Sequence, residues 1–323
     1  MSTDATHVRL GRCALLTSRL WLGTAALAGQ DDADAVRLLD HARSRGVNCL
    51  DTADDDSAST SAQVAEESVG RWLAGDTGRR EETVLSVTVG VPPGGQVGGG
   101  GLSARQIIAS CEGSLRRLGV DHVDVLHLPR VDRVEPWDEV WQAVDALVAA
   151  GKVCYVGSSG FPGWHIVAAQ EHAVRRHRLG LVSHQCRYDL TSRHPELEVL
   201  PAAQAYGLGV FARPTRLGGL LGGDGPGAAA ARASGQPTAL RSAVEAYEVF
   251  CRDLGEHPAE VALAWVLSRP GVAGAVVGAR TPGRLDSALR ACGVALGATE
   301  LTALDGIFPG VAAAGAAPEA WLR

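Results

Sequence analysis

Charged side chains cluster in segments that can meet at one site of the folded chain. Three aspartates, Asp54, Asp55 and Asp56, closely follow a short apolar run that ends at Asp51. Arginines follow three later apolar runs, at Arg130, Arg187, Arg213 and Arg216. Carboxylates that face guanidinium groups around a pocket can hold an anionic or polyoxygenated ligand. The sequence therefore predicts a small-molecule substrate of this kind.

Asp56 is the candidate acid or base of this cluster, and Asp51 and Arg213 are the other candidate catalytic residues. Crowded carboxylates disfavour each other's charge, which raises the pKa of one of them toward a range useful for proton transfer. The alternative interpretation is that Asp56 is a solvated loop carboxylate without a chemical role.

The composition argues against several classes of protein. The chain has 323 residues, of which 46% are hydrophobic, and a formal net charge of −6. It has no basic runs, so no nucleic-acid partner is expected, because phosphate neutralisation needs clustered cations. It also lacks a run of about eighteen apolar residues, so neither a membrane span nor a membrane partner is predicted. These properties leave the oligomeric state open.

The cysteines and histidines follow no pattern of disulfides or metal ligands. Seven cysteines are scattered singly, and no two of them form a C-x-x-C pair. An odd number of isolated cysteines predicts reduced thiols and a cytoplasmic protein. Because neither residue type shows the spacing of metal ligands, no metal site is predicted.

Short apolar runs alternate with segments of helical periodicity along most of the chain. The runs that predict strands are Leu20–Gly23, Val47–Asp51, Thr83–Val89, Val123–Leu128, Val153–Ser158, Leu181–Gln185, Gly209–Ala212 and Ala273–Val277. Eight such runs with helical crossovers in about 300 residues predict a closed parallel barrel, the (β/α)8 or TIM-barrel fold. No second domain is indicated, so residues 1–323 are predicted to form a single domain.

Two glycine-rich segments interrupt this alternation, at about residues 91–102 and 217–236. Both follow predicted strands on the carboxyl side, where barrel active sites are built. They are predicted to be loop insertions beside the pocket. The alternative is a surface excursion without a role.

Several blocks of sequence resemble the motifs of the aldo-keto reductases. Residues 46–54, GVNCLDTAD, resemble the family's G-[IV]-N-x-x-D-T-A signature. Residues 114–124, SLRRLGVDHVD, and residues 151–161, GKVCYVGSSGF, are similar to two further family blocks. The blocks occur in family order over roughly residues 18–310, and the resemblance implies the barrel fold of that family.

The resemblance also implies a catalytic tetrad. Members of the family reduce a carbonyl with NADPH, and a tyrosine donates the proton with help from a lysine, an aspartate and a histidine. Matching the motifs places these four positions at Asp56, Val89, Asp51 and Pro129, respectively. Only the aspartate is retained, so the resemblance implies a divergent member with little conventional reductase activity.

The cofactor positions implied by the resemblance are mixed. Matches to the family's cofactor contacts are Gly23, Thr24, Ser159, Gln185, Arg280 and Arg284. In contrast, Gly160 stands where the family has asparagine, and Arg213 stands where a ring would stack on the nicotinamide. A weakened NADPH site is therefore expected, and the predicted function requires no cofactor.

Asp51 needs a new partner if the lysine is missing, because a buried unpaired carboxylate is costly. His127 lies two residues before Pro129 and is expected to point into the barrel one layer lower, so a pair with Asp51 is one interpretation. The alternative is a core histidine with other partners. His184 precedes Gln185 and is expected to face outward without a ligand role.

The exchange of tetrad residues for aspartate and arginine favours non-redox acid–base chemistry. A cyclase, dehydratase or isomerase of bacterial specialised metabolism is the main prediction. The first alternative is an atypical NADPH-dependent carbonyl oxidoreductase in which Asp56 or water supplies the proton. The second is a non-catalytic binding or regulatory barrel.

Overall fold

The computed structural model describes residues 6–52, 60–90, 101–129, 136–214, 220–222 and 238–311. The strands are β1 (His7–Arg9), β2 (Leu16–Ser18), β3 (Leu20–Gly23), β4 (Cys49–Asp51), β5 (Val84–Thr88), β6 (Val123–Leu128), β7 (Val153–Ser159), β8 (Leu181–Cys186), β9 (Gly209–Ala212) and β10 (Val272–Val277). The α-helices are α1 (Asp32–Ser44), α2 (Thr60–Ala74), α3 (Thr77–Glu82), α4 (Ala104–Leu118), α5 (Trp137–Ala149), α6 (Gly163–Arg175), α7 (Val199–Ala205), α8 (Thr238–Leu254), α9 (Pro258–Ser268), α10 (Pro282–Ala291) and α11 (Ala298–Ile307). Short 3-10 helices lie at Thr24–Gly29 and His194–Glu196.

Strands β3 to β10 form a closed barrel. Each strand pairs in parallel with the next one along the chain, and β10 pairs with β3 to close the ring. The prediction of a (β/α)8 barrel is therefore confirmed. The eight apolar runs coincide with these strands, because a strand covered by helices on one face and by the barrel interior on the other is buried on both.

Side chains alternate between the barrel interior and the helices, as the two-residue period of a strand requires. Leu50 and Leu85 belong to the large apolar cluster that the strands share with the helices. Their neighbours Asp51 and Ser86 are fully buried and hydrogen-bonded to each other. This alternation determines which side chains reach the barrel axis.

The amino end of the barrel is filled by apolar side chains. The β1–β2 hairpin and its turn bring Leu10 and Cys13 into a second cluster with Trp21 and Phe211. The rings of Trp21 and Phe211 stack with their centroids 3.9 Å apart. Space for a ligand is therefore expected at the carboxyl end, as is typical of this fold.

The two predicted insertions fall mostly outside the described residues, which include only 101–102 of the first and 220–222 of the second. Residues 101–102 lead into Ser103, whose hydroxyl caps α4 by accepting a hydrogen bond from the backbone of Gln106. Among the described helices, none combines the length and the apolar character that crossing a bilayer demands.

Substitution of Gly11 in the turn of the hairpin is expected to destabilise the fold. Gly11 has a φ of +57°, and an added Cβ would lie 2.7 Å from Gly207 O and from Gly209 N, and closer still to Val182 O. These are backbone atoms, which cannot move aside as a side chain can. We expect Gly11→Ala to lower the free energy of unfolding by about 2 kcal/mol more than a glycine substitution without such a clash.

The matched control is Gly255→Ala. Gly255 has a φ of +76°, but its added Cβ would meet no atom within 4 Å. It therefore reports the cost of the left-handed backbone alone, about 1 kcal/mol. Urea unfolding of both variants makes the comparison, and equal losses of stability would contradict the proposed packing of the hairpin against the barrel.

Candidate active site

A cleft of ≈ 730 Å³ opens at the carboxyl end of the barrel. It begins beside β3 and β9 and extends past β10 to the first turn of α10. Residues that line it include Gly23, Arg213, Pro214, Gly278, Arg280, Gly283 and Arg284. Four predicted site residues from three distant parts of the sequence thus share one surface. They are Gly23, Arg213, Arg280 and Arg284.

The other predicted cofactor residues lie at the strand ends but do not line this cleft. The Thr24 hydroxyl donates to the backbone oxygen of Asp51 (3.3 Å), and Gln185 Nε2 donates to Asp51 Oδ1 (2.9 Å). Ser159 is half-buried and pairs in register with Gln185. Asp56, the predicted acid or base, lies outside the described residues, as do Asp54, Asp55, Arg130 and Arg216.

The far end of the cleft is suited to an anion. Thr281 caps α10 by accepting a hydrogen bond from the backbone of Arg284 (3.4 Å), so the first turn of a ten-residue helix faces this end. The side chains of Arg280 and Arg284 add two positive charges there. A Cβ built on Gly278 or Gly283 would meet no protein atom within 4 Å, which leaves room for a ligand. Backbone N–H groups, the helix dipole and guanidinium groups all favour negative charge.

A chain of hydrogen bonds crosses the barrel interior below the mouth. Asp51 Oδ1 accepts from Ser86 Oγ (2.6 Å) and from Gln185 Nε2 (2.9 Å). Ser86 Oγ also contacts His127 Nδ1 (3.1 Å), and His127 Nε2 contacts Ser183 Oγ (3.0 Å). All five side chains are fully buried. His127 and Asp51 therefore form no direct pair, because Ser86 lies between them, and His127 is the core histidine with other partners that the second interpretation describes.

Burial determines the charge states along this chain. Loss of water raises the pKa of Asp51, although the charge of Arg213 and hydrogen bonds from Ser86 and Gln185 lower it in part. Burial, with smaller effects from His184 and Arg213, lowers the pKa of His127 to about 3. His127 is therefore neutral at physiological pH, and Asp51 is biased toward its neutral acid.

These charge states fix the positions of the protons. Ser86 has one hydroxyl proton, which it gives to Asp51, so His127 must carry its proton on Nδ1 and donate it to Ser86. His127 Nε2 then accepts from Ser183. If Ser86 keeps donating to Asp51 Oδ1, a proton taken up by the carboxyl lies on Oδ2. That atom is buried and has no hydrogen-bond partner within the described part of the chain.

At the end of β5, the residue that faces the interior is not the one matched to the family's lysine. Val89, matched to the family's lysine, belongs to the apolar cluster shared with the helices. The strand period instead turns Thr88 toward the interior, two residues after Ser86. Thr88 is buried, and its hydroxyl has no partner among the residues described.

The tyrosines and the lysine of this chain, all of them described residues, are not among the residues that line the cleft. The sequence has four tyrosines and one lysine. The hydroxyls of Tyr188, Tyr206 and Tyr247 donate to Glu196, Glu171 and the carbonyl oxygen of Pro258. Tyr155 packs against the apolar cluster at the amino end, and Lys152 donates to Glu112 (2.6 Å). None of the five lines the cleft.

The sequence does not predict that His184 forms a buried hydrogen-bonded pair with Ser158. It is fully buried next to Gln185, and its Nδ1 lies 2.8 Å from Ser158 Oγ. Burial lowers its pKa to about 3. A strand histidine beside a glutamine gives no sequence signal for this, since its partner is contributed by the neighbouring strand β7.

Comparisons with known proteins identify the family of this chain. The sequence pattern described as "Aldo/keto reductase family" matches residues 19–308. The chain is 40% identical to the "Uncharacterized oxidoreductase YrpG" of Bacillus subtilis (strain 168), over 98% of this chain and 99% of the relative. It is 31% identical to a "Probable voltage-gated potassium channel subunit beta" of Oryza sativa subsp. japonica, over 89% and 91% of the two chains. It is 27% identical to "Versiconal hemiacetal acetate reductase" of Aspergillus parasiticus, over 93% and 96%.

These relatives overturn the main functional prediction. Non-redox cyclase, dehydratase or isomerase chemistry is wrong as the leading interpretation, because relatives that align along nearly the full chain are named as an oxidoreductase and a reductase. The prediction that no cofactor is required loses its support for the same reason.

The two buried histidines predict how stability depends on pH. In the folded state they take up a proton near pH 3, but at the ordinary histidine pKa of 6.5 once unfolded. Between these values the unfolded state binds more protons, so the free energy of unfolding falls as the pH is lowered. The slope is at most about 1.4 kcal/mol per pH unit for each histidine.

Urea unfolding at several pH values measures this slope. We expect His184→Asn to flatten it, and His7→Asn, at an exposed position, to leave it unchanged. The raised pKa of Asp51 gives a slope of opposite sign, so Asp51→Asn is expected to steepen the fall. A slope that His184→Asn does not alter would show that His184 is not buried in its neutral form.

Proposed function

The chain belongs to the aldo/keto reductase family, and on this premise we propose that it reduces a carbonyl group of a small molecule with NADPH. The observation that carries the proposal is the cleft, which joins Gly23 and Arg213 at the barrel mouth to Arg280 and Arg284 beside α10. A reductase needs an elongated site of this kind, because cofactor and substrate must meet at the barrel axis.

The residues present fit a phosphorylated dinucleotide. Arg280, Arg284 and the first turn of α10 would hold phosphate, and the open space at Gly278 and Gly283 would admit it. Gly23 and Arg213 would border the reacting end, where Gly23 leaves the barrel mouth free of a side chain. When bound, the cofactor supplies a hydride to the carbonyl carbon.

The chain's own groups must then stabilise and protonate the carbonyl oxygen. Arg213 lines the cleft and is close enough to Asp51 to lower the pKa of that carboxyl, so its charge favours a developing oxyanion. A proton taken up by Asp51 would lie on the carboxyl that Ser86 and Gln185 hold in place. We assign Asp51 as the proton source of the described site, with Asp56 or water as the alternative.

Removal of a cationic side chain from the far end of the cleft is expected to weaken NADPH binding selectively. We expect Arg284→Ala to raise the Kd of NADPH by about 10- to 100-fold, the effect of losing a charge-assisted hydrogen bond. The Kd of NADH, which lacks the extra phosphate, is expected to change little. Quenching of intrinsic tryptophan fluorescence provides the titration.

The control is Arg252→Ala, at an exposed position near the end of α8 and outside the cleft. Transfer of deuterium from 4-deuterated NADPH to 4-nitrobenzaldehyde, used as a generic carbonyl probe, reports the reaction itself. A folded wild-type protein that binds neither NADPH nor NADH would overturn the proposed function.

The variant Asp51→Asn removes the acidic proton of Asp51 but can keep the hydrogen bonds that hold the site together. Asparagine can keep its Oδ1 as the acceptor for Ser86 and Gln185 and place an amide nitrogen where Asp51 Oδ2 lies. The fold and the Kd of NADPH are therefore expected to stay within about twofold of wild type, whereas kcat falls by about 10²–10⁴-fold. An unchanged kcat would show that Asp56 or water, and not Asp51, supplies the proton.

A further inference from the structure

Three potential metal ligands converge at the amino end of the barrel, opposite the cleft. His122 directly precedes β6, Asp124 is the second residue of β6, and Cys154 is the second residue of β7. The pairing of Val123 with Val153 places these two strand ends side by side. One imidazole nitrogen, one carboxylate oxygen and the thiol sulfur all lie within 4.8 Å of one another.

We propose that His122, Asp124 and Cys154 form a zinc-binding site, with water in the fourth position. Zinc takes nitrogen, oxygen and sulfur ligands at about 2.0–2.3 Å in a tetrahedron, which places ligand atoms about 3.3–3.8 Å apart. Small side-chain rotations would close the remaining distance. Cys154 is exposed and His122 is only partly buried, so both have the freedom to make them.

Asp124 is already oriented for this role. Its Oδ2 accepts from the backbone of Leu85 (2.8 Å) and lies 3.1 Å from Arg80 Nη2, which leaves Oδ1 for a metal. Arg80 also donates to the backbone oxygen of His122 (3.1 Å) and so ties two ligand positions together. Supporting hydrogen bonds of this kind orient ligands and add to metal affinity.

The other two ligands have no competing partners in the described part of the chain. Neither the His122 imidazole nor the Cys154 thiol forms a hydrogen bond with a described residue. A thiolate and the Asp124 carboxylate would supply two negative charges to a divalent ion, beside the one positive charge of Arg80. The sulfur ligand selects a borderline-soft metal such as zinc over magnesium or calcium, which prefer oxygen ligands only.

Cobalt(II) is the spectroscopic probe for this site, titrated into the full-length protein under reducing conditions. We expect one equivalent to give the visible bands of tetrahedral cobalt and a near-ultraviolet thiolate-to-cobalt band, and zinc to displace both. Cys154→Ser is expected to abolish the thiolate band, and His122→Ala is expected to raise the Kd of cobalt by more than about tenfold. Cys292→Ser, at a thiol away from the site, serves as the matched control and keeps the wild-type spectrum.

Two outcomes would overturn the site. One is the absence of a thiolate band at one equivalent of cobalt. The other is a band that persists in Cys154→Ser, which would place the metal on another cysteine. Circular dichroism checks that each variant is folded. NADPH titration of the same samples shows whether the cleft still binds the cofactor when the metal site does not form.

Discussion

A buried carboxyl held by two neutral donors organises the interior of this barrel. Asp51 lies fully buried and receives hydrogen bonds from Ser86 on β5 and Gln185 on β8, so its Oδ1 joins three strands across the axis. Taking a carboxylate out of water costs several kcal/mol unless it is paired or neutralised. The raised pKa of Asp51 reduces that cost by favouring the protonated acid.

The same desolvation keeps two buried histidines uncharged. His127 and His184 are neutral because their pKa values fall to about 3, and each forms a hydrogen bond to a strand serine. Positive charge is instead placed along the cleft, at Arg213 near the axis and at Arg280 and Arg284 near α10. A cationic cleft suits an anionic dinucleotide. This agrees with the names of the oxidoreductase relatives.

The two ends of the barrel have different physical roles. At the amino end, the stacked rings of Trp21 and Phe211 fill the interior and the β1–β2 hairpin covers it. At the carboxyl end, glycines at the strand ends leave space for a ligand. The proposed zinc ligands lie on the outer rim of the filled end, where binding would link the starts of β6 and β7 without touching the cleft.

The sequence by itself determined the eight strands, the barrel and the family, because these depend on apolar periodicity and on motifs within about ten residues. It also identified Gly23, Arg213, Arg280 and Arg284, but not the cleft that they share. Only the tertiary structure shows that Ser86 lies between Asp51 and His127 and that Thr88, rather than Val89, faces the interior. It also shows that Cys154 lies beside His122 and Asp124. Those contacts depend on strand register and barrel closure, which bring together residues 30 or more positions apart and leave no local signature in the chain.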